Sequence, residues 1–388
     1  FTHSLPWEVA YVGNHGPGLY FMRDVNQPTP GVKNTSANGA LEQIRRPYYG
    51  SFPYLGQVKW LNNQDHSNFS GLQTTLTTRG WHGLTYTAAY SLGHALDEAS
   101  LDGANNPQII MDSRNTKLEY GNAQYDIRHR FTFTGSYLIP GYKAAPAQLL
   151  EGWQLNTSIS LSSGLAMNAF DSNSDISGTG ERDDRWNLFG NAHDFWGYGG
   201  LSAIPCYGIT TSSFGKVSTC NPVAIPVGAV TAAQRVANMP AACVTAATVL
   251  PTNPDVPSND TSATGLAALS TFGCYIAPGG AVIVPPAQGT FGNMGRYMLY
   301  GKGIRLWDFS VSKNTKITER LNTQFRAEVF NVLNSRQFAV PRPGQNETNP
   351  NAPGTFGASS GTPDVVANSP VIGSGSPRKI QFGLKLIF

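Results

Sequence analysis

The last eleven residues, Arg378 to Phe388, alternate in polarity without a break. Ile380, Phe382, Leu384, Leu386 and Phe388 fall on one parity, and Gln381, Gly383 and Lys385 on the other. A strand sends successive side chains to opposite faces, so this pattern suits a strand with hydrocarbon on one side and water on the other. Soluble domains commonly finish in a polar, poorly ordered tail. Outer-membrane barrels instead close on a short strand whose apolar band and aromatic girdle face lipid.

The same alternation recurs upstream. Leu321, Thr323, Phe325, Ala327 and Val329 oppose Asn322, Gln324, Arg326 and Glu328; Trp307, Phe309 and Val311 oppose Leu306, Asp308, Ser310 and Ser312. Trp153, Leu155, Ile159 and Leu161 oppose Gln154, Asn156, Ser158, Ser160 and Ser162. Ile127, Phe131, Phe133, Tyr137 and Ile139 oppose Arg128, Arg130, Thr132, Thr134 and Ser136. Weaker versions run through Leu84–Leu92, Gly71–Thr78 and Trp7–Val12, giving about eight strands near the roughly 9–11 residues a tilted strand needs to cross a bilayer.

Connection lengths take turns. Short joins lie at Arg79–Gly83, Pro140–Gly152 and Thr318–Arg320; long ones lie at Asn14 to about Gly56, Ala95–Gln124, Leu165–Gly303 and Asn334–Pro377. In an up-and-down barrel every second connection emerges on the same side, so the long loops gather outside the cell and the tight turns in the periplasm. The expected fold is all-β: an antiparallel up-and-down transmembrane β-barrel fragment of about eight strands, incompletely closed, with long extracellular loops.

Composition agrees. Only 13% of the residues are charged, and 42 glycines and 26 prolines argue against a helical protein. No apolar run reaches the length of a transmembrane helix, which leaves a barrel open because its strands are apolar only at alternate positions. A net charge of +3, with no lysine or arginine block, gives no reason to expect a nucleic-acid partner. The chain starts on Phe1 with nothing resembling a signal peptide, so it reads as part of a longer protein.

Cys206, Cys220, Cys243 and Cys274 all fall in the 165–303 connection, the pattern of disulfides in an oxidising compartment. Three connectivities are open, and Cys206 with Cys220 and Cys243 with Cys274 is the pairing we expect. The stretch Ala241 to Gly289 is dominated by small residues and proline, which predicts little core of its own.

Several sequence blocks together resemble a known family. Gly292-Asn-Met-Gly-Arg296, Gly301-Lys-Gly303, Trp307-Asp308, Lys316-Ile-Thr318-Glu-Arg320 and Gln324-Phe-Arg326-Ala-Glu328-Val-Phe330-Asn331 resemble the C-terminal barrel of TonB-dependent receptors of the Oar-like type. Asn26-Gln-Pro28, Arg45-Arg-Pro47-Tyr48, Ser67-Asn-Phe-Ser-Gly-Leu-Gln73, Tyr125-Asp126-Ile-Arg128-His129-Arg130-Phe131 and Gly152-Trp153 look like further blocks in the same order. Lys302 and Tyr297 depart from the proline and asparagine expected at their positions. The resemblance implies a plug domain, a TonB-contacting segment and a carboxypeptidase-regulatory-like domain upstream of Phe1. It also implies outer-membrane lipid, the TonB complex, the barrel-assembly machinery and an unidentified external ligand as partners. Phe382, Leu384, Leu386 and Phe388 would form the terminal strand that the assembly machinery reads. A non-transporting adhesin or structural surface barrel is the alternative.

Arg128, Arg130, Arg326 and Glu328 have the polar parity, so they are expected on the lumen face, either in an ion-pair lattice between wall and plug or in contact with a passing substrate. Trp153, Trp307, Tyr137, Tyr90 and Phe388 suit an interfacial girdle, whereas Trp186, Phe195, Trp196 and Tyr198 in the long connection are candidates for glycan contact. Asp171 and Asp175 have the spacing that opens a calcium loop, but Ile176 stands where such a loop needs glycine. An irregular calcium site using Asp171, Asp175, Asp183 or Asp184 competes with a solvated acidic turn. The seven histidines are scattered and no serine or cysteine sits in a nucleophile elbow, so no enzymatic chemistry and no cofactor is expected.

Overall fold

The computed structural model describes residues 5–34, 40–100, 110–141, 147–171, 175–181, 184–197, 206–207, 231–339, 362 and 377–387. Eight long strands form one antiparallel meander: β1 (Trp7–Asp24), β2 (Lys59–Trp81), β3 (Leu84–Asp97), β4 (His129–Leu138), β5 (Trp153–Ser162), β6 (Ile304–Lys316), β7 (Asn322–Phe330) and β8 (Lys379–Ile387). Each pairs with its sequence neighbours, and among the described residues β1 and β8 are the free edges of an unclosed sheet.

Register carries the two-faced pattern across the whole sheet. One lateral row runs Leu84, Tyr137, Leu155, Val311, Ala327, Phe382; its neighbour on the opposite face runs Thr85, Ser136, Asn156, Ser310, Glu328, Gln381. A one-residue slip in any pair would put serine against lipid and leucine in water, so both faces together fix each register. The apolar row has no cover: Phe382 is 69% and Leu384 71% exposed. Indole N–H groups on this face find partners within the sheet, Trp7 Nε1 donating to Thr74 Oγ1 at 2.7 Å and Trp307 Nε1 to Thr157 Oγ1 at 2.9 Å. That is what lipid, which offers no acceptor in its core, requires.

The β2–β3 turn is His82–Gly83, both with positive φ (49° and 85°), as a tight hairpin demands. A Cβ at Gly83 would stand 2.4 Å from the Leu138 carbonyl oxygen, so the position is closed to other residues.

β1 and β2 are longer than expected. Their segments were expected at Trp7–Val12 and Gly71–Thr78, with a loop from Asn14, but the strands hold 18 and 23 residues. At about 3.4 Å per residue β2 spans roughly 75 Å, against an apolar band about 25 Å tall. The upper part therefore stands clear of the membrane. There, Asn62 to Asn68 is polar on both faces, since neither face meets lipid and no alternation is selected. A further departure is the bulged pairing between Pro17 and Phe21.

The 165–303 connection corrects another expectation, because it is folded around a core. Helices Ala241–Thr248 and Gly265–Phe272 pack on a small sheet of strands Asn187–Phe189, Val282–Val284, Cys274–Ile276 and Cys206–Tyr207. Trp186 is the centre of the core, with the Tyr275 and Phe272 rings at 5.9 and 6.4 Å and Ile176, Phe195, Ile283, Met294 and Leu299 around them. Alanines of the 241–289 stretch let elements approach closely, and the volume comes from that stretch's own Phe272, Tyr275 and Ile283 together with Trp186, Phe195, Met294 and Leu299 from the flanking segments.

Cys243 and Cys274 form a disulfide between helix Ala241–Thr248 and strand Cys274–Ile276, with a sequence separation of 31. Cys220 lies outside the described residues, so the other expected pair does too, as does Phe388. Closing a loop of this length stabilises by about 2–4 kcal/mol. Cys243→Ser should therefore lower the melting temperature of this unit and open it to protease between 231 and 303, leaving the strands protected; equal protease resistance with and without reductant would contradict this.

Candidate functional site: an extracellular cap joined to the bore wall

Three connections interlock above the strands. Asn26 holds the 25–58 connection, its Nδ2 donating to the Leu55 and Gly56 carbonyls at 3.1 and 2.7 Å and its Oδ1 accepting from the Tyr48 N–H at 3.0 Å. Gln27 reaches the next connection: Nε2 donates to Met111 O at 3.0 Å, and Oε1 accepts from the Ser113 N–H at 2.7 Å. Gln288 of the folded unit donates to Ile176 O at 2.7 Å and Gly31 O at 3.2 Å. These amides are buried; Asn26 fastens its own connection, Gln27 joins it to the next, and Gln288 bridges it to the folded unit, so the connections form one cap.

Buried ion pairs join that cap together and to the wall. Arg185 Nη1 meets Glu119 Oε2 at 2.8 Å, and its Nε and Nη2 donate to Met294 O and Leu118 O. Arg296, fully buried, pairs with Asp97 at the end of β3; burial pulls its guanidinium pKa down to about 10. The Tyr300 hydroxyl donates to Asp126 Oδ2 at 2.5 Å, while Arg128 Nε lies 3.1 Å from that same oxygen. Burial and the Asp126 carboxylate push the Tyr300 hydroxyl's pKa well above its usual value, so it stays protonated and a donor.

The blocks that carry the family resemblance sit at these joints. A Cβ at Gly292 would fall 2.1 Å from Arg185 O, Asn293 Oδ1 accepts from the Leu188 N–H at 2.7 Å, and Arg296 closes onto Asp97. Asp126 also accepts from the Ala95 N–H at 2.7 Å. Tyr297, which replaces the expected asparagine, has a φ of 50°, a conformation asparagine tolerates better.

The lumen-parity residues take different situations. Arg128 precedes β4 at the rim and is paired with Asp126. Arg326 Nη1 lies 3.7 Å from Glu328 Oε1, an in-strand pair on the inner face. Arg130 is exposed on the inner face of β4. Around these charges the inner wall is mostly serine, threonine, asparagine and glutamine, and this neutral polar lining suits an aqueous bore.

The aromatic candidates divide. Trp186 and Phe195 are fully buried in the cap core, so they are not available to a glycan, correcting that expectation; Tyr198 lies outside the described residues. Trp196 is half-buried, stacked with His193 at 3.6 Å, and its Nε1 donates to Met298 O at 3.1 Å.

The calcium candidates separate as well. Asp171 pairs through its backbone with Asp184, whose Oδ2 accepts from the Ser177 N–H at 2.7 Å. The Asp171 side chain and Asp183 lie outside what is described. Asp175, with a φ of 39°, accepts from the Thr179 and Gly180 N–H groups at 3.0 and 3.1 Å, the geometry of an acidic turn. Among the described residues no group of three acidic, histidine or cysteine side chains converges on a metal position.

Burial, then the hydrogen bond and charge of Glu42, push the Asp175 carboxyl up to about 7 from 3.8. The folded cap therefore holds a proton that the unfolded chain releases near pH 4, and stability falls as pH rises from about 4 to about 7. Melting the cap between pH 5 and 8 should show this slope, and Asp175→Asn should flatten it; an unchanged slope in the variant would refute the assignment.

A family model described as "Outer membrane beta barrel domain" matches residues 1–381, and the chain belongs to this family. Its place is the bacterial outer membrane. Among solved structures, the outer membrane transporter YddB from Escherichia coli is similar at 8% identity and a TM-score of 0.36; the match covers 100% of this chain and 30% of that one. The chain thus spans less than a third of that transporter's length. No curated protein matches the sequence.

Proposed function

We propose that this chain is the C-terminal part of the barrel of a TonB-dependent receptor of the Oar-like type, taking up an unidentified external ligand with energy from the TonB complex. The observation that carries the reading is the cap: extracellular connections folded around their own core and tied by buried ion pairs to the end of β3 and to Asp126, over a polar inner wall. A preorganised surface lowers the ordering cost of ligand capture. In this reading the protein binds and moves a ligand without covalent chemistry or a cofactor. A plug and a TonB-contacting segment belong upstream, and β1 and β8 meet further strands of the complete barrel. The Phe382, Leu384, Leu386 face would be presented to the barrel-assembly machinery.

The same cap suits an adhesin that transports nothing, and one experiment separates the two. Cross-linking in living cells should give an adduct between the full-length protein and TonB. No adduct, in cells where a control receptor gives one, would leave the adhesin.

A further inference from the structure

Arg130 differs from the other arginines of the inner wall and cap joints. Arg46, Arg128, Arg185, Arg296 and Arg326 each meet a carboxylate, whereas the Arg130 guanidinium makes neither hydrogen bond nor ion pair among the described residues. Its place in the sheet is fixed by register: Ser91 of β3 on one side, Ser162 of β5 on the other, with Gln73 of β2 next to Ser91 in the same lateral row. Thr75, Ala89 and Thr132 form the adjoining inner row.

Arg130, Gln73, Ser91, Thr75, Ala89 and Thr132 line a concavity of about 260 Å³ on the bore wall, and none of its lining residues is acidic. We propose that Arg130, with Gln73, Thr75, Ser91 and Thr132, is a subsite for one anionic group, a carboxylate or a phosphate. The guanidinium stays charged at any physiological pH and offers a planar fork that matches both groups bidentately. The hydroxyls and the amide supply the remaining donors at the rim. The concavity is smaller than the roughly 300–1,000 Å³ of a pocket for a whole ligand, so it seats a group and not a molecule. The group belongs either to a solute in the bore or to a protein segment seated there, and the chemistry is the same. The inference rests on the receptor reading only in taking the inner face as the wall of a bore; loss of TonB contact would leave it standing.

The test uses the full-length protein in lipid vesicles with Ser91→Cys, and Thr132→Cys as a second reporter if the first does not fold. Modification rates are compared for an anionic and a cationic methanethiosulfonate of similar size at low ionic strength. The anionic-to-cationic rate ratio should be about tenfold higher than in the same reporter carrying Arg130→Gln, the effect of one unit charge at roughly 6 Å in water on probes of opposite sign. If inorganic phosphate removes the excess, the site takes a free anion. If both reagents react slowly until moderate urea is added and the excess then appears, the anion comes from a protein segment in the bore. A ratio that is the same with and without Arg130, before and after urea, overturns the proposal.

Discussion

Placing arginine at both Phe382 and Leu384 is expected to keep the barrel from assembling. The two positions lie mid-strand in β8, on the uncovered apolar face, opposite Ala327 and Phe325. A charge on the lipid face near the bilayer midplane costs about 2–4 kcal/mol. Two such charges together approach the whole net stability of a folded protein, about 5–15 kcal/mol. Gln381→Arg, on the opposite face beside Glu328, should change stability by less than about 1 kcal/mol. Heat-modifiable mobility of the protein in outer-membrane fractions reads the difference. A double variant that assembles as the parent does would mean that the two faces have been exchanged.

Arg296→Met should cost the cap about 3–5 kcal/mol, the effect of leaving one partner of a buried pair without the other. Asp97 is then left at the end of β3 with its charge buried, having lost the group that neutralised it. Adding Asp97→Asn removes that charge and should recover part of the loss, since the asparagine oxygen still accepts from Ser100 Oγ. Hydrogen exchange over residues 291–300 is the measurement, with protection falling in the single variant and partly returning in the double. Equal protection in parent and single variant would show that this pair does not hold the cap to the wall.

The strands that cross the membrane were legible because a bilayer imposes one simple rule. Lipid on one side and water on the other force period two, so the sequence alone puts Phe131, Phe133 and Tyr137 on one face and Arg130, Thr132 and Thr134 on the other. Where lipid stops, that rule stops. The upper halves of β1 and β2, with Asn62, Asn63, Gln64 and His66 on alternating faces, carry no such signal and read as loop.

The cap was opaque for a different reason. Its core joins Met167, Trp186 and Phe195 to Phe272, Tyr275 and Met294, residues far apart in the chain, and no local period links them. The 241–289 stretch, which holds both helices, reads as low complexity until those side chains are in place. The ion pairs are similar: Arg296 was visible within a motif, but its partner Asp97 is 199 residues away.

What the sequence determined by itself is the two-sided sheet, its order, the side on which the long connections lie, and the residues that line lipid and bore. Each follows from solvent acting on one residue at a time. Only the tertiary structure decided that the connections make a single cored cap, that Arg185 binds two of them to each other while Arg296 and Tyr300 tie the cap to the wall, and that Arg130 alone among these arginines is left open to an anion. Those features depend on which distant segments meet, and pairing at a distance leaves no periodic trace along the chain.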